Sequence, residues 1–374
     1  MESALKKDVW VVDDSIISPL GSTSEENFNN VVKSVSGIRK IKDDSLASTE
    51  VHVGRIDDLS NSIELTRFEQ MCVAAIDKIT ERHSLRVGKT LFILSTTKGN
   101  IDLLKSDSNH SRLHLHSTAK HIAQHSGLEN TLVVSNACIS GVMAIAIAKR
   151  YLERGQFDHA MVVGADELTN FVVSGFQSLG ALSNEICRPF DRDRNGINLG
   201  EAAAAILLTT KPEQFSQKPS IKILGSGLSN DANHISGPSR TGEELALAIA
   251  QALHESSLTQ DQIDFISAHG TATLYNDEME AKAFNLSGFS RTPLHSLKGY
   301  YGHTLGAAGV LELIISIHGL KNNTLIPSLG YTHPGVSQEL NVITQSVIKP
   351  MTTFLKTASG FGGCNAAMVV QKQN

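Results

Sequence analysis

The chain has 374 residues, of which 41% are hydrophobic and 19% are charged, and its formal net charge is -5. These values are ordinary for a globular protein and give no indication of nucleic-acid or membrane-surface binding. Its four cysteines are widely separated and form no C-x-x-C pair, which argues against a disulfide framework and a zinc site and favours a reducing compartment, the cytoplasm.

Short apolar segments alternate along the chain with longer segments of helical periodicity, a pattern typical of an α/β fold with largely buried strands. No apolar segment reaches the uninterrupted ~18 residues of a membrane span, and residues 1–8 are too acidic and too poor in apolar groups for a signal peptide. The predicted strands cover residues 9–12, 90–94, 132–135, 160–164, 202–208, 221–224, 265–268, 294–297 and 366–370.

Two parts of the chain share the same order of a strand, a candidate catalytic residue and a helix. In the first half a predicted strand leads through Cys138 into a helix rich in small residues, 141–154. In the second half a predicted strand leads through His303 into a helix at 306–320. This shared order predicts a duplicated fold whose halves join within the polar segment 210–220. The halves would cover residues 1–215 and 216–374.

Cys138 lies where a predicted buried strand runs into a helix, immediately before Ile139-Ser140-Gly141. The thiolate is the reactive form of cysteine, and a helix amino terminus lowers a thiol pKa through its free N–H groups and partial positive charge. By position alone a buried core cysteine is an equally good interpretation of Cys138.

Two histidines favour the catalytic interpretation. His269 ends a predicted strand and is followed by the tight turn Gly270-Thr271, and His303 lies in a glycine-rich segment at the start of a predicted helix. A helix start favours a neutral imidazole. A helix-start cysteine with two histidines from separate strand-end loops is typical of nucleophilic catalysis by cysteine.

Seven segments, spread over nearly the whole chain, form a specific set by their order and number. They are Ser18-Pro19-Leu20-Gly21, Asn136-Ala137-Cys138-Ile139-Ser140-Gly141, Arg188-Pro189-Phe190-Asp191-Arg192-Asp193-Arg194-Asn195-Gly196, Leu199-Gly200-Glu201-Ala202-Ala203, Ala268-His269-Gly270-Thr271-Ala272-Thr273, Gly302-His303 through Gly309, and Gly360-Phe361-Gly362-Gly363-Cys364-Asn365-Ala366. The set resembles the β-ketoacyl-acyl-carrier-protein synthases of the thiolase superfamily, in the Cys-His-His group. The resemblance implies a duplicated thiolase-like α/β fold of five layers, α-β-α-β-α, with two mixed sheets.

The resemblance also implies the role of each site residue. Cys138 would take an acyl group from a phosphopantetheine thioester, and the backbone N–H groups of Cys138 and Phe361 would form the oxyanion hole. His269 and His303 would bind the thioester oxygen of a malonyl carrier. Loss of CO2 would leave an enolate whose carbon attacks the acylated Cys138, so the chain would be an acyltransferase, a 3-oxoacyl-acyl-carrier-protein synthase of class EC 2.3.1.-.

Further charged and polar residues lie at matching family positions. Lys298 would be catalytic, with Glu280 and Glu312 as partners in a buried charge network and Asn365 as a supporting residue. Solvated surface positions are the ordinary alternative for such charged side chains. The substrate pocket would include Thr97, Lys98, Thr271 and Thr273.

Several positions depart from the common family pattern. Ser359 stands where an aromatic residue is usual, Lys98 where glycine is usual, and segment 100–115 is shortened. These departures disfavour long saturated substrates. They favour a specialised pathway that makes short, polyunsaturated or aryl-capped chains, of the polyene or polyketide type. Ordinary fatty acid biosynthesis is the alternative.

The resemblance implies an acyl carrier protein as partner, and a dimer formed by the strand before Cys138, with an identical or a related subunit. No cofactor, metal or nucleotide is expected, since the histidines between His110 and His125 lack accompanying ligands and no phosphate-binding loop occurs. A non-catalytic chain-length-factor subunit is the alternative, although such partners typically lack the nucleophilic cysteine. The candidate carrier-binding cations are Lys149, Arg150, Arg154, Arg188, Arg192 and Arg194.

Overall fold

The computed structural model describes residues 7–57, 59, 62–231 and 237–373. The strands are Val9–Ile17 (β1), Ile38–Ile41 (β2), Val51–Gly54 (β3), Thr90–Ser95 (β4), Asn130–Val134 (β5), His159–Asp166 (β6), Leu199–Gly200 (β7), Ala202–Thr209 (β8), Ile221–Asn230 (β9), Phe265–Ser267 (β10), Pro293–His295 (β11), Thr324–Leu325 (β12), Asn341–Val342 (β13), Val347–Ile348 (β14), Thr353–Gly360 (β15) and Cys364–Lys372 (β16). The α-helices are Ser24–Val32 (α1), Arg67–Thr80 (α2), Leu115–His125 (α3), Ser140–Glu153 (α4), Asn170–Ser178 (α5), Glu243–Ser256 (α6), Leu274–Leu286 (α7), Lys298–Tyr301 (α8) and Ala308–Lys321 (α9).

The main sheet consists of two halves with the same topology. The strand order is β1-β8-β6-β4-β5 in the first half and β9-β16-β15-β10-β11 in the second, with β13 beyond β11. In each half the first two pairings are antiparallel and the next two are parallel. Because the strands also enter the two halves in the same chain order, the predicted duplication is confirmed. The boundary at residue 215 stays a prediction.

The two mixed sheets expected from the resemblance are hydrogen-bonded to each other. β1 pairs with β9 in antiparallel register, with Val9 opposite Ile223 and Val11 opposite Ile221. Each half therefore covers the edge of the other, which removes two exposed strand edges. The result is one 11-stranded sheet.

Helices cover the sheet in the predicted five-layer order. The apolar faces of α2 and α3 pack on the first half, and those of α6 and α7 pack on the second half. Helices α4 and α9 lie between the two halves in the largest core cluster. In the described residues no helix is long and apolar enough to cross a membrane.

The two central helices approach each other closely because both carry glycine at the crossing. A Cβ atom on Gly141 would lie 2.7 Å from the backbone nitrogen of Val310, and one on Gly309 would lie 2.5 Å from that of Val142. Side-chain atoms essentially never come this close to backbone atoms, so glycine is required at both positions. This contact brings the end of β5 and the start of α9 together, and with them the segments that carry Cys138 and His303.

Candidate active site

Cys138 lies in a tight turn between β5 and α4. Ala137 adopts a left-handed backbone conformation with φ of 45°, which reverses the chain after the strand. The hydroxyl of Ser140 stabilises this turn by accepting the N–H of Asn136 at 2.7 Å and donating to the carbonyl of Ala137 at 2.6 Å. The position of Cys138 just before the first turn of a helix agrees with the sequence prediction.

The predicted effect of that helix start on the thiol is overturned. Burial raises the pKa of Cys138 to about 12, although the Lys298 ammonium and the backbone N–H of Phe361 act in the opposite direction. Only 8% of the residue is exposed to solvent, so loss of hydration outweighs both favourable contacts. Cys138 is therefore a thiol, not a thiolate, at neutral pH.

The structure brings the two predicted histidines to Cys138. One ring nitrogen of His269, one of His303 and the sulfur of Cys138 all lie within 4.8 Å of one another. The two imidazoles meet edge to face, with ring centroids 5.2 Å apart. His269 follows β10, and His303 lies between α8 and α9, where Asn198 accepts its backbone N–H at 2.7 Å.

Both imidazoles are neutral. Burial lowers the pKa of each ring well below its ordinary value, and the nearby ammonium groups of Lys298 and Lys356 lower it further. The helix start named in the sequence prediction is not the cause, since α9 begins five residues after His303. Nδ1 of His303 accepts the N–H of Leu305 at 3.3 Å, which places the proton of the neutral ring on Nε2.

One ring nitrogen of each site histidine, Nε2 of His303 and Nδ1 of His269, has no hydrogen-bond partner among the described groups. Buried polar atoms are rarely left without a partner, because each costs free energy that a hydrogen bond would recover. Both rings line the same cavity as Cys138. Unpaired imidazole nitrogens on the wall of a cavity are groups that a substrate oxygen can satisfy.

Lys298, Glu280 and Glu312 form the predicted buried network, and all three side chains are removed from solvent. The carboxylate of Glu280 accepts the backbone N–H groups of His269 at 2.8 Å and Gly270 at 2.6 Å. The ammonium of Lys298 donates to the carbonyl of His269 at 3.1 Å and forms an ion pair with Glu312. The burial of all three residues excludes the solvated alternative. The network contacts both the N–H and the carbonyl of His269 and so fixes its backbone.

A fourth member of this network, Lys356 on β15, was not predicted from the sequence. Its ammonium pairs with Glu312 at 2.6 Å and donates to the carbonyls of Ser267 at 3.2 Å and Ala268 at 3.3 Å. The signal that could have found it is an isolated lysine in the otherwise apolar or small segment 353–360. A lysine inside a buried strand needs buried acceptors.

The glycine-rich segment between β15 and β16 closes the site. The backbone N–H of Phe361 acts to lower the pKa of the Cys138 thiol, and the carbonyl of Phe361 accepts the thiol of Cys364 at 3.4 Å. The predicted supporting residue Asn365 accepts the hydroxyl of Ser359 at 2.8 Å. Phe361 is 42% exposed as a residue, and its ring stacks on Phe176 with centroids 6.0 Å apart. The segment thus holds an N–H at the sulfur and an aromatic ring at the entrance.

The site opens into a cavity of about 720 Å³. Cys138 and both histidines line it, together with the predicted pocket residues Thr271 and Thr273. A cavity of this volume is typical of sites that bind a small organic molecule.

Comparisons with known proteins identify the family. The model of the beta-ketoacyl synthase N-terminal domain matches residues 113–214, and that of the beta-ketoacyl synthase C-terminal domain matches residues 221–332. The chain belongs to the β-ketoacyl synthase family. The resemblance recognised in the sequence is therefore confirmed.

Relatives of this β-ketoacyl synthase are 3-oxoacyl-[acyl-carrier-protein] synthases. Synthase 2 of Vibrio harveyi is 26% identical, and the match covers 98% of this chain and 99% of the relative. Synthase 2 of Rhizobium meliloti is 32% identical over 64% of this chain and 60% of the relative. The predicted enzyme class, an acyltransferase of this type, is confirmed by these relatives.

Solved structures confirm the thiolase-like ketosynthase fold. A chain of the ketosynthase ApeO in complex with its chain length factor ApeC from Xenorhabdus doucetiae is 26% identical, with a TM-score of 0.86 and full coverage of both chains. The ishigamide ketosynthase/chain length factor gives a TM-score of 0.90 at 24% identity, over 99% of this chain and 100% of that chain. A beta-ketoacyl synthase from Burkholderia phymatum gives 0.87 at 24% identity, over 98% of this chain and 100% of that chain.

In this β-ketoacyl synthase two predicted pocket residues lie outside the lining of the cavity, Thr97 and Lys98. Their backbone N–H groups donate to the buried carboxylate of Asp166 at 2.9 Å and 3.1 Å. Asp166 also accepts the N–H of Gly306 at 2.7 Å. The segment is thereby fixed against the start of α9, and a role for Thr97 and Lys98 in an acyl pocket stays a prediction.

Two of the candidate carrier-binding cations are internal. Lys149 is buried and pairs with Glu153 at 2.7 Å and Glu255 at 2.9 Å. Arg194 is buried as well, with its Nε 3.8 Å from Asp277. The prediction that Lys149 and Arg194 lie on the surface was therefore wrong. Both side chains are buried because they pair with carboxylates of neighbouring segments. The exposed members of the set are Arg150, Arg154 and Arg192.

Proposed function

We propose that this protein condenses an acyl group held on Cys138 with malonyl-acyl-carrier protein, releasing CO2 and forming a 3-oxoacyl thioester. One observation carries the proposal: the sulfur of Cys138 and one nitrogen of each imidazole lie within 4.8 Å of one another on the wall of one cavity. A nucleophile and two uncharged hydrogen-bond donors at this spacing serve both half-reactions.

In the first half-reaction the sulfur of Cys138 attacks the carbonyl carbon of an acyl-phosphopantetheine thioester. The oxyanion that develops accepts hydrogen bonds from the backbone N–H groups of Cys138 and Phe361, and such donors are commonly worth ~3 kcal/mol each. The carbon–sulfur bond to the carrier then breaks. The carrier sulfur leaves as a thiol with the proton that Cys138 gave up, so a resting thiol needs no permanent base.

In the second half-reaction the malonyl thioester loses CO2, and the electron pair of the broken carbon–carbon bond moves onto the thioester oxygen. His269 and His303 donate hydrogen bonds to this enolate oxygen. The enolate carbon attacks the carbonyl of the acylated Cys138, and the sulfur leaves and takes up one proton from solvent. The carrier departs with a 3-oxoacyl chain longer by two carbons.

Neutral rings suit this step better than charged ones. An imidazolium would pair with the malonyl carboxylate and stabilise the reactant before CO2 is lost. A neutral N–H gains most where negative charge appears in the transition state, and only such differential binding accelerates a reaction. The strong lowering of both imidazole pKa values by burial supports this assignment.

The substrates reach the site on the phosphopantetheine of an acyl carrier protein, and the chemistry needs no further cofactor. The departure at Ser359, which lines the cavity, supports a specialised chain of the polyene or polyketide type. Likeness to the ketosynthase paired with its chain length factor supports a dimer, formed with an identical or a related subunit. The exposed side chains of Arg150, Arg154 and Arg192 would bind the acidic carrier protein.

The proposal is tested by incubating the protein with a panel of acyl-carrier thioesters and reading the mass of the intact chain. We expect an acyl adduct on the natural protein and none on Cys138→Ala, with Cys187→Ala as the matched control because Cys187 is also buried. Malonyl carrier added to the acylated protein should remove the adduct and yield CO2 and a 3-oxoacyl carrier. A natural protein that never acylates would contradict the proposal.

A second candidate function is that of a non-catalytic chain-length-factor subunit. It is favoured by the presence of chain length factors in two of the similar solved assemblies. The same experiment separates the two functions, because a chain length factor would carry no acyl group at Cys138 and would raise the activity of an added ketosynthase.

A further inference from the structure

Lys356 connects three elements beneath the active site. It lies on β15, where its position is in parallel register with Ser267 on β10. Its ammonium bonds the carbonyls of Ser267 and Ala268 and the carboxylate of Glu312 on α9. Ala268 is the residue before His269, so these bonds fix the chain at the point where the catalytic histidine leaves the strand.

Two lysines, Lys298 and Lys356, and two glutamates, Glu280 and Glu312, share one buried region. Burial lowers the pKa of Lys356, and the neighbouring carboxylate of Glu312 raises it again. One carboxylate oxygen of Glu312 pairs with each lysine. Thr357, the next residue on β15, donates its hydroxyl to Glu280 at 3.3 Å. Removing Lys356 would leave an excess carboxylate in a region without water contact, which is costly.

Lys298 and Lys356 hold neighbouring carbonyls of the same strand end. Lys298 donates to the carbonyl of His269, and Lys356 donates to the carbonyls of Ser267 and Ala268, the two residues before His269. The backbone of three successive residues is thus fixed by two ammonium groups that share Glu312. These bonds fix the backbone from which the His269 side chain projects.

We infer that Lys356 is a positioning residue for His269: its ammonium acts as a built-in cation, bound by two carbonyls and one carboxylate, that keeps the imidazole aimed at the malonyl thioester oxygen. The inference rests on the proposed function and names a further residue that its second half-reaction requires. Acyl transfer to Cys138 depends on the N–H groups of Cys138 and Phe361 instead, so it should depend little on Lys356.

The test uses Lys356→Ala and Lys356→Met, with the exposed Lys120→Ala on α3 as the control. Both half-reactions are measured, acylation by intact mass and decarboxylation by release of labelled CO2 from malonyl carrier. We expect decarboxylation to fall about 100-fold, as for a displaced catalytic group. Acylation should stay within about threefold of the natural rate, as for Lys120→Ala.

Small cations provide a readout that a purely structural role would not move. The space left in Lys356→Ala is bounded by three oxygen atoms. Ammonium and methylammonium chloride should therefore raise the decarboxylation rate of this variant about tenfold. Tetramethylammonium chloride at the same ionic strength is too large and should restore nothing. Ammonium should also raise the melting temperature of Lys356→Ala and leave that of Lys120→Ala unchanged.

Each outcome decides the inference. Unimpaired decarboxylation, an equal loss of both half-reactions, or no response to ammonium would overturn it, as would two variants that stay unfolded with and without ammonium. Failure of the proposed function looks different, because the natural protein itself would then release no CO2. In that case the ammonium-dependent melting temperature of Lys356→Ala still tests the built-in cation.

Discussion

Burial keeps each reacting side chain of the site uncharged in the resting protein. It raises the pKa of the Cys138 thiol to about 12 and lowers the pKa of the His269 and His303 rings. The full charges lie one layer deeper, on the lysines and glutamates that hold the backbone. This arrangement gives the cavity a neutral wall that changes charge only as the reaction proceeds, which is where stabilisation lowers a barrier.

Lys298→Ala tests how far this deeper layer serves the second half-reaction. Loss of the ammonium frees the carbonyl of His269 and leaves Glu312 with Lys356 alone. We expect decarboxylation to fall about 100-fold and acyl transfer to Cys138 to fall much less, because a displaced ring loses its contact with the enolate. Release of CO2 and intact-mass acylation measure the two rates separately.

Lys282→Ala is the matched control, since Lys282 pairs with Glu278 on the outer face of α7. Its two rates should equal those of the natural protein. Equal loss of both half-reactions in Lys298→Ala would refute a role directed at His269.

The buried histidines also predict how stability depends on pH. A histidine of the unfolded chain binds a proton below about pH 6.5, whereas burial holds the folded pKa of His269, His303 and His295 lower, for His295 at about 3. The unfolded state therefore binds more protons in acid, and the free energy of unfolding falls as the pH drops below about 6.5. Each such ring contributes a slope of about 1.4 kcal/mol per pH unit there.

Melting temperatures measured between about pH 7.5 and 5.5 check this prediction. His295→Leu removes one buried ring outside the catalytic set and should make the decline shallower. The exposed His116→Leu should leave it unchanged. A decline equally steep in both variants would show that other groups cause the loss in acid.

At the scale of elements, the contact between α4 and α9 joins the two halves of the site. Gly309→Ala would place a Cβ atom 2.5 Å from the backbone nitrogen of Val142. The helices must separate to admit it, so we expect a loss of about 1–3 kcal/mol in the free energy of unfolding, as for other overpacked cores. Denaturant titration measures the loss.

Gly175→Ala is the control for this substitution. Gly175 lies within α5, and a Cβ atom there would meet nothing within 4 Å. Alanine should therefore stabilise the helix by about 0.5–1 kcal/mol through its higher propensity. Similar losses in both variants would show that the helix crossing is not the cause.

The elements also show what sequence could and could not predict. Each predicted strand overlaps an observed strand, because buried strands in an α/β fold are continuous apolar segments. The predictions 132–135, 265–268 and 294–297 extend one or two residues past the ends of β5, β10 and β11. β15 was missed, since Lys356 and Thr357 interrupt its apolar pattern and their acceptors come from distant parts of the chain. The prediction of a lowered pKa for the Cys138 thiol was wrong for the same reason. The helix start at Cys138 can be predicted from the local sequence, whereas the burial of the thiol depends on the whole fold.

At the scale of the whole molecule, the sheet ends in an edge that the fold leaves open. β5 is the outermost strand of the first half, and in the described residues it pairs with β4 alone. Four of its five side chains are half-buried or exposed, in contrast to the fully buried β4 and β6. Long open edges with apolar side chains are unfavourable in solution, so a second strand is expected to cover this one.

Antiparallel pairing of β5 with the same strand of a second subunit would complete the sheet and place two active sites next to one interface. Leu132→Lys introduces like charges that face each other across such a twofold axis, and charges of one sign at opposed positions destabilise strand pairing. We expect the mass measured by light scattering to fall from that of a dimer to that of a monomer. Leu104→Lys, which adds the same charge at an exposed leucine elsewhere, should remain a dimer. A Leu132→Lys protein that is still a dimer would refute pairing through β5, and a natural protein that is monomeric alone would require a related subunit to cover the edge.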